Sequence, residues 1–164
     1  MKNEITGMRL RLIVMNFLQF AVWGAYLTSM GTYLFNIGLG AKIGLFYAMQ
    51  GIVSLFMPAI MGIIADRWVP AQKLYGFCHF MAAVFMVAAG WYGYVDGEAV
   101  NFGTLFTFYS LSVAFYMPTL ALTNSVAYTA LDKVKLDPVI AFPPIRIFGT
   151  IGFICSMLLT DILL

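Results

Sequence analysis

The strongest constraint on this chain is a pattern of long apolar runs, five in succession, separated only by short polar breaks. A helix that crosses a bilayer needs about 20 predominantly apolar residues, each rising about 1.5 Å. By that measure the runs fall at about 12–35, 42–65, 74–94, 102–130 and 142–164. The fourth is long enough to tilt or to extend beyond the bilayer. The breaks at Asn36–Gly40, Asp66–Lys73, Val95–Asn101 and Leu131–Pro138 are short, so consecutive helices run antiparallel. Composition points the same way: 62% of residues are apolar and 10% charged, against roughly half and a quarter in a soluble domain. That excludes an ordinary soluble domain, a disordered chain and a nucleic-acid binder with a basic stripe. Strands of a transmembrane barrel alternate apolar and polar over about ten residues, and these runs are too long and too uniform for that. The expected fold is an all-α membrane protein of about five transmembrane helices, with the lipid bilayer as its surroundings.

The first run spans about 12–35, whereas the apolar region of a signal peptide is about 7–15 residues. It also contains Asn16, Gln19, Trp23 and Tyr26, so it reads as a retained helix. Alternating the connections places Lys2, Arg9, Arg11, Arg67, Lys73, Lys133, Lys135 and Arg146 on one side and Lys42 alone on the other. The third connection carries Asp96 and Glu98 and no basic residue. Basic residues collect on the cytoplasmic side, so the expected N-terminus is cytoplasmic. The chain is still apolar at Leu164, which reads as part of a longer protein.

Several groups carry candidate chemistry. Gly62, Asp66 and Arg67 close the second run, where a glycine permits close helix approach and an acid can latch onto a basic group or a helix N-terminus. The same residues also fit a simple cytoplasmic anchor. In the fifth run, Arg146, Thr150 and Phe153 stand at i, i+4 and i+7, on one helix face. Gly149, Gly152 and Ser156 form an adjacent small-residue stripe suited to close packing. A charge inside a span costs about 2.5–3.5 kcal/mol on insertion scales. Arg146 therefore either snorkels to the headgroups or faces a cavity, where guanidinium, hydroxyl and ring together suit a flat polar ligand.

The first helix carries Asn16, Gln19, Trp23 and Tyr26 on one face. The second offers Gln50 and Ser54, and the fourth offers Asn124 and Tyr128 beyond Pro118. Such faces either join helices or line a polar path. Gln19, Trp23, Gln50, Asn124 and Tyr128 are candidate cavity-lining residues. His79 reads as a helix-contact residue, Cys78 and Cys155 as two small buried thiols, and Trp91, Tyr92 and Tyr94 as an interfacial belt. No nucleophile–base pair or metal-ligand spacing is present, so neither an enzyme nor a metal site is expected.

Four stretches carry a family resemblance: Phe17-Leu18-Gln19-Phe20 with Trp23-Gly24; Phe56-Met57-Pro58-Ala59 with Gly62 and Ala65-Asp66; Tyr116-Met117-Pro118-Thr119-Leu120; and Phe142-Pro143-Pro144-Ile145-Arg146-Ile147 with Gly149-Thr150-Ile151-Gly152-Phe153. From about Leu10 onward the chain resembles the bacterial nucleoside:proton symporters of the major facilitator superfamily. The Asp-Arg loop is generic to that superfamily; the last stretch is specific.

The resemblance implies a transporter of two six-helix halves working by alternating access. In it, nucleoside uptake is coupled to the proton, with no other cofactor. This chain would then be most of the N-terminal half (1–164), with the C-terminal half missing, in a bacterial inner membrane. The resemblance also implies that Arg146, Thr150 and Phe153 contact the nucleoside, and that Asp66 and Arg67 form a cytoplasmic gate. Two alternatives remain at this point: a transporter of the same type carrying a sugar or nucleobase, and a non-transporting five-span subunit.

Overall fold

The computed structural model describes residues 2–96 and 99–163; Gly97 and Glu98 of the acidic connection lie outside them. The described residues form five long helices: α1 (Lys2–Asn36), α2 (Ile43–Arg67), α3 (Ala71–Asp96), α4 (Phe102–Lys133) and α5 (Pro138–Leu163). A short 3-10 turn, Gly40–Lys42, precedes α2. All five helices are long and apolar enough to cross a membrane.

The helix ends follow from local chemistry. Asn101 caps α4, its Oδ1 accepting hydrogen bonds from the backbone N–H groups of Gly103 (2.8 Å) and Thr104 (3.3 Å). This satisfies two donors that a helix N-terminus leaves free. Asp137 caps α5 with a single such bond, its Oδ1 accepting from Val139 N–H at 2.9 Å, with Pro138 in the first helical position, where its missing N–H costs nothing. The fifth helix thus starts four residues before Phe142, the expected start. Pro143 and Pro144 lie inside it, and the carbonyls they leave without partners belong to Val139 and Ile140, both exposed. The first helix likewise starts at Lys2 and not near Leu12, because apolar length measures the membrane span and not the helix.

Two helices close with the same motif. After α1, Leu39 N–H donates to Leu34 O and Gly38 N–H to Phe35 O, with Gly38 at φ 78°. After α4, Leu136 N–H donates to Leu131 O and Lys135 N–H to Asp132 O. Here a lysine occupies the left-handed position, at φ 57°. Both are Schellman closures, a position that favours glycine.

The chain divides into two compact units: one joins the first 32 residues to those from Thr123 onward, the other is Tyr33–Leu122. In the first unit α1 and α5 pack backbone to backbone. A Cβ on Gly152 would lie 3.0 Å from the Phe17 carbonyl carbon, and one on Gly24 2.6 Å from Phe153 O. The small-residue stripe of α5 is therefore the surface on which α1 rests, as small residues allow between membrane helices. Toward the polar ends of these helices, Leu12, Ala127, Ala130, Leu131, Ala141, Phe142 and Ile145 form the unit's apolar core.

In the second unit the core is Met61, Leu74, Cys78 and Leu122. The Phe46 ring is buried among Phe102, Phe106 and Tyr109, with centroids 4.9–6.1 Å away. Ser112 Oγ donates to the Ala82 carbonyl at 2.7 Å, a buried bond between α4 and α3. His79 packs edge-on against Tyr116 (6.0 Å) with its Nδ1 3.1 Å from Tyr75 O, a helix-contact position. Cys78 is buried, but Cys155 is exposed: an apolar helix face turned outward accepts a thiol as readily as a core does. Trp91 and Tyr94 are exposed, and Tyr92 Oη accepts a hydrogen bond from Asn101 N–H at 2.9 Å.

Candidate functional site

The site is built on the first unit, where α5 lies along α1. Its buried residues Ala141, Phe142, Ile145, Gly149 and Gly152 define the packing face of α5. Arg146 and Phe153 lie at the margin of that face, half-buried, and Thr150 lies exposed one turn beyond Arg146. The three residues thus share a strip of α5 that flanks the α1 contact, as their i, i+4, i+7 spacing requires.

Two of them are joined through α1. The Arg146 guanidinium carbon sits 3.8 Å from the centre of the Phe20 ring, within the range of a strong cation–π contact. Phe20 meets Trp23 at 6.1 Å, and Trp23 meets Phe153 edge-on at 5.6 Å. Arg146, Phe20, Trp23 and Phe153 therefore form one continuous aromatic–cationic cluster. Gly149 makes room for it: a Cβ there would lie 2.7 Å from Phe20 Cδ2 and 2.8 Å from Arg146 Nη1.

Polar groups of α1 lie alongside. Asn16 and Gln19 are buried, and Asn16 Nδ2 donates to Leu12 O at 2.9 Å. Asn16 Oδ1 and Trp23 Nε1 are buried without a hydrogen-bond partner among the described residues. Buried polar atoms are nearly always paired, so each such exception marks a place for a further polar partner. On α4, Asn124 and Tyr128 are exposed. The Tyr128 ring packs edge-on against Phe142 at 5.0 Å, one helical turn before Arg146. Of the expected lining residues, Gln19, Trp23, Asn124 and Tyr128 thus belong to the same unit as Arg146.

Gln50, Asp66 and Arg67 belong to the second unit. Gln50 is buried in α2, while Asp66 and Arg67 are exposed on its last turn. A cavity of about 630 Å³ in the first unit is lined by residues of the α1 start and of the α4–α5 turn, including Arg11, Lys133 and Lys135. None of the expected site residues lines it.

Sequence reasoning passed over Phe20 as a member of this cluster. Asn16, Phe20 and Trp23 stand at i, i+4 and i+7, so the signal was the same helical face that singled out Asn16 and Trp23. An aromatic ring on an apolar helix has no polar label, and only the neighbouring guanidinium reveals its place in the cluster.

Five helices long and apolar enough to cross a membrane, one of them carrying a cation held in an aromatic cluster, define a multi-span membrane protein. The chain matches the family described as Nucleoside H+ symporter over residues 6–163, and it belongs to that family of transporters, not of enzymes. Xanthosine permease of Escherichia coli (strain K12) is 42% identical over 150 residues, covering 90% of this chain and 34% of that protein. Nucleoside permease NupG of the same organism is 40% identical over 154 residues, covering 92% and 35%. A mutant crystal structure of nucleoside transporter NupG superposes with a TM-score of 0.84 at 39% identity, covering 94% of this chain and 37% of that one. A second crystal structure of NupG gives 0.79, covering 92% and 36%. The chain thus spans about a third of the length of the curated relatives it matches.

Proposed function

We propose that this chain forms the N-terminal part of a proton-coupled nucleoside uptake transporter, with residues 1–164 supplying most of its first half. Its short coverage of longer relatives that are themselves named permeases supports this reading. The observation that carries it is the Arg146–Thr150–Phe153 strip of α5, set beside Trp23 and Phe20 of α1. The guanidinium offers a planar fork of N–H donors, Thr150 a hydroxyl, and Phe153 a ring for stacking. A nucleoside presents a flat base and several oxygen acceptors, which these groups match. Gln19, Trp23, Asn124 and Tyr128 of the same unit extend the lining.

Asp66 and Arg67, at the end of α2, form the cytoplasmic gate. The distribution of basic residues supports a cytoplasmic N-terminus in a bacterial inner membrane. Alternating access requires a second half rocking against this one about a central site. That half supplies the rest of the nucleoside contacts and the proton coupling.

The test is accumulation of radiolabelled uridine by vesicles containing the complete transporter, with and without an imposed proton gradient. Gradient-dependent accumulation is expected. Failure to accumulate uridine, adenosine or inosine overturns the reading, and transport of a sugar or nucleobase that ignores nucleosides replaces the cargo.

A further inference from the structure

We infer that Phe20 is a positioning residue: its ring holds the Arg146 guanidinium in place so that the N–H edge is presented to the cargo. This rests on Arg146 being a nucleoside contact. The Arg146 guanidinium carbon lies 3.8 Å from the Phe20 centroid, and stacking on a ring face leaves the in-plane N–H donors free. No carboxylate pairs with Arg146 among the described residues. The ring therefore provides the fixed contact that an acid would otherwise supply, without spending any donor on it.

Phe20 is itself held. It is only 7% exposed and its centroid lies 6.1 Å from Trp23. Gly149 leaves the space that both side chains occupy: a Cβ there would crowd the ring and the guanidinium together, at 2.7 and 2.8 Å. A long arginine side chain otherwise loses considerable rotamer freedom on binding. Fixing it beforehand removes that cost from the binding step.

The test is the dissociation constant for uridine measured by calorimetry on the complete transporter and its variants. Phe20→Leu keeps an apolar side chain of similar bulk but removes the ring face. It should raise the constant about tenfold, the scale of a partly desolvated cation–π contact. Phe20→Tyr restores the face and should bind within about twofold of wild type, since both rings hold a cation comparably. Both variants should still fold and insert, since leucine and tyrosine each keep most of the buried apolar volume. In an Arg146→Gln background, which has no cation for the ring to hold, Phe20→Leu should add nothing, because two groups acting through one contact are non-additive.

Unchanged affinity in Phe20→Leu, or weak binding in Phe20→Tyr, overturns the inference. So does a Phe20→Leu loss that persists in full in the Gln background, which would make Phe20 a direct contact. Absence of uridine binding by wild type instead overturns the underlying nucleoside reading.

Discussion

At the scale of single residues, the site depends on one glycine as much as on its polar groups. Gly149 is tight against the far ends of two side chains and not against backbone, so a methyl group there can be accommodated only by moving Phe20 or Arg146. Gly149→Ala should therefore leave folding and membrane insertion intact. The KM for uridine uptake should rise roughly tenfold, the equivalent of about 1.4 kcal/mol. An unchanged KM would mean that the position of the guanidinium does not matter for the cargo. Arg146 illustrates what one dimension leaves open. From spacing alone it fits both a snorkelling residue and a cavity residue. In the fold, the ring of Phe20 draws it onto α1.

At the scale of elements, the α1–α5 contact and the α4 closure make separate predictions. Lipid offers no hydrophobic drive for helix association, so close packing of small residues must hold α1 to α5. Gly152 faces the Phe17 backbone, which cannot swing aside as a side chain can. Gly152→Ala should lower stability by about 1–3 kcal/mol, the usual cost of overpacking, read as a fall in thermal midpoint in detergent. The opposite sign is expected at Lys135, whose left-handed φ of 57° strains any residue with a Cβ. Lys135→Gly should stabilise the protein by about 0.5–1 kcal/mol, the relief of that strain less the added freedom of the unfolded chain. A lower midpoint for Lys135→Gly would show that the lysine side chain contributes more than its backbone costs.

The number of helices and the small-residue stripe of α5 were legible in the sequence, because long apolar runs and i, i+3 spacing are local properties. The ends of α1 and α5 were less so. The polar first turns of α1 are helical without being apolar. The proline pair suggested a start for α5, while the Asp137 cap and Pro138 set it four residues earlier. The partner chosen by the stripe, and the ring chosen by Arg146, are tertiary facts that spacing within one helix does not contain.

At the scale of the whole molecule, a handful of charges in a mostly apolar chain carries much of the functional information. Eight of the nine basic residues fall on one side when the connections are alternated, and one of those, Arg146, also sits in the aromatic cluster of the first unit. Membership of the Nucleoside H+ symporter family and coverage of about a third of its relatives' length support a working unit larger than these five helices. In the proposed function, cargo recognition by α5 is one part of a site that another half completes. The most direct measurement of this account is the initial rate of proton-driven uridine uptake by the complete transporter, wild type against Arg146→Ala, at equal amounts in the membrane. The account predicts saturable uptake by wild type and none above background for Arg146→Ala. Equal rates would contradict it and return Arg146 to the role of a cation anchored at the headgroups.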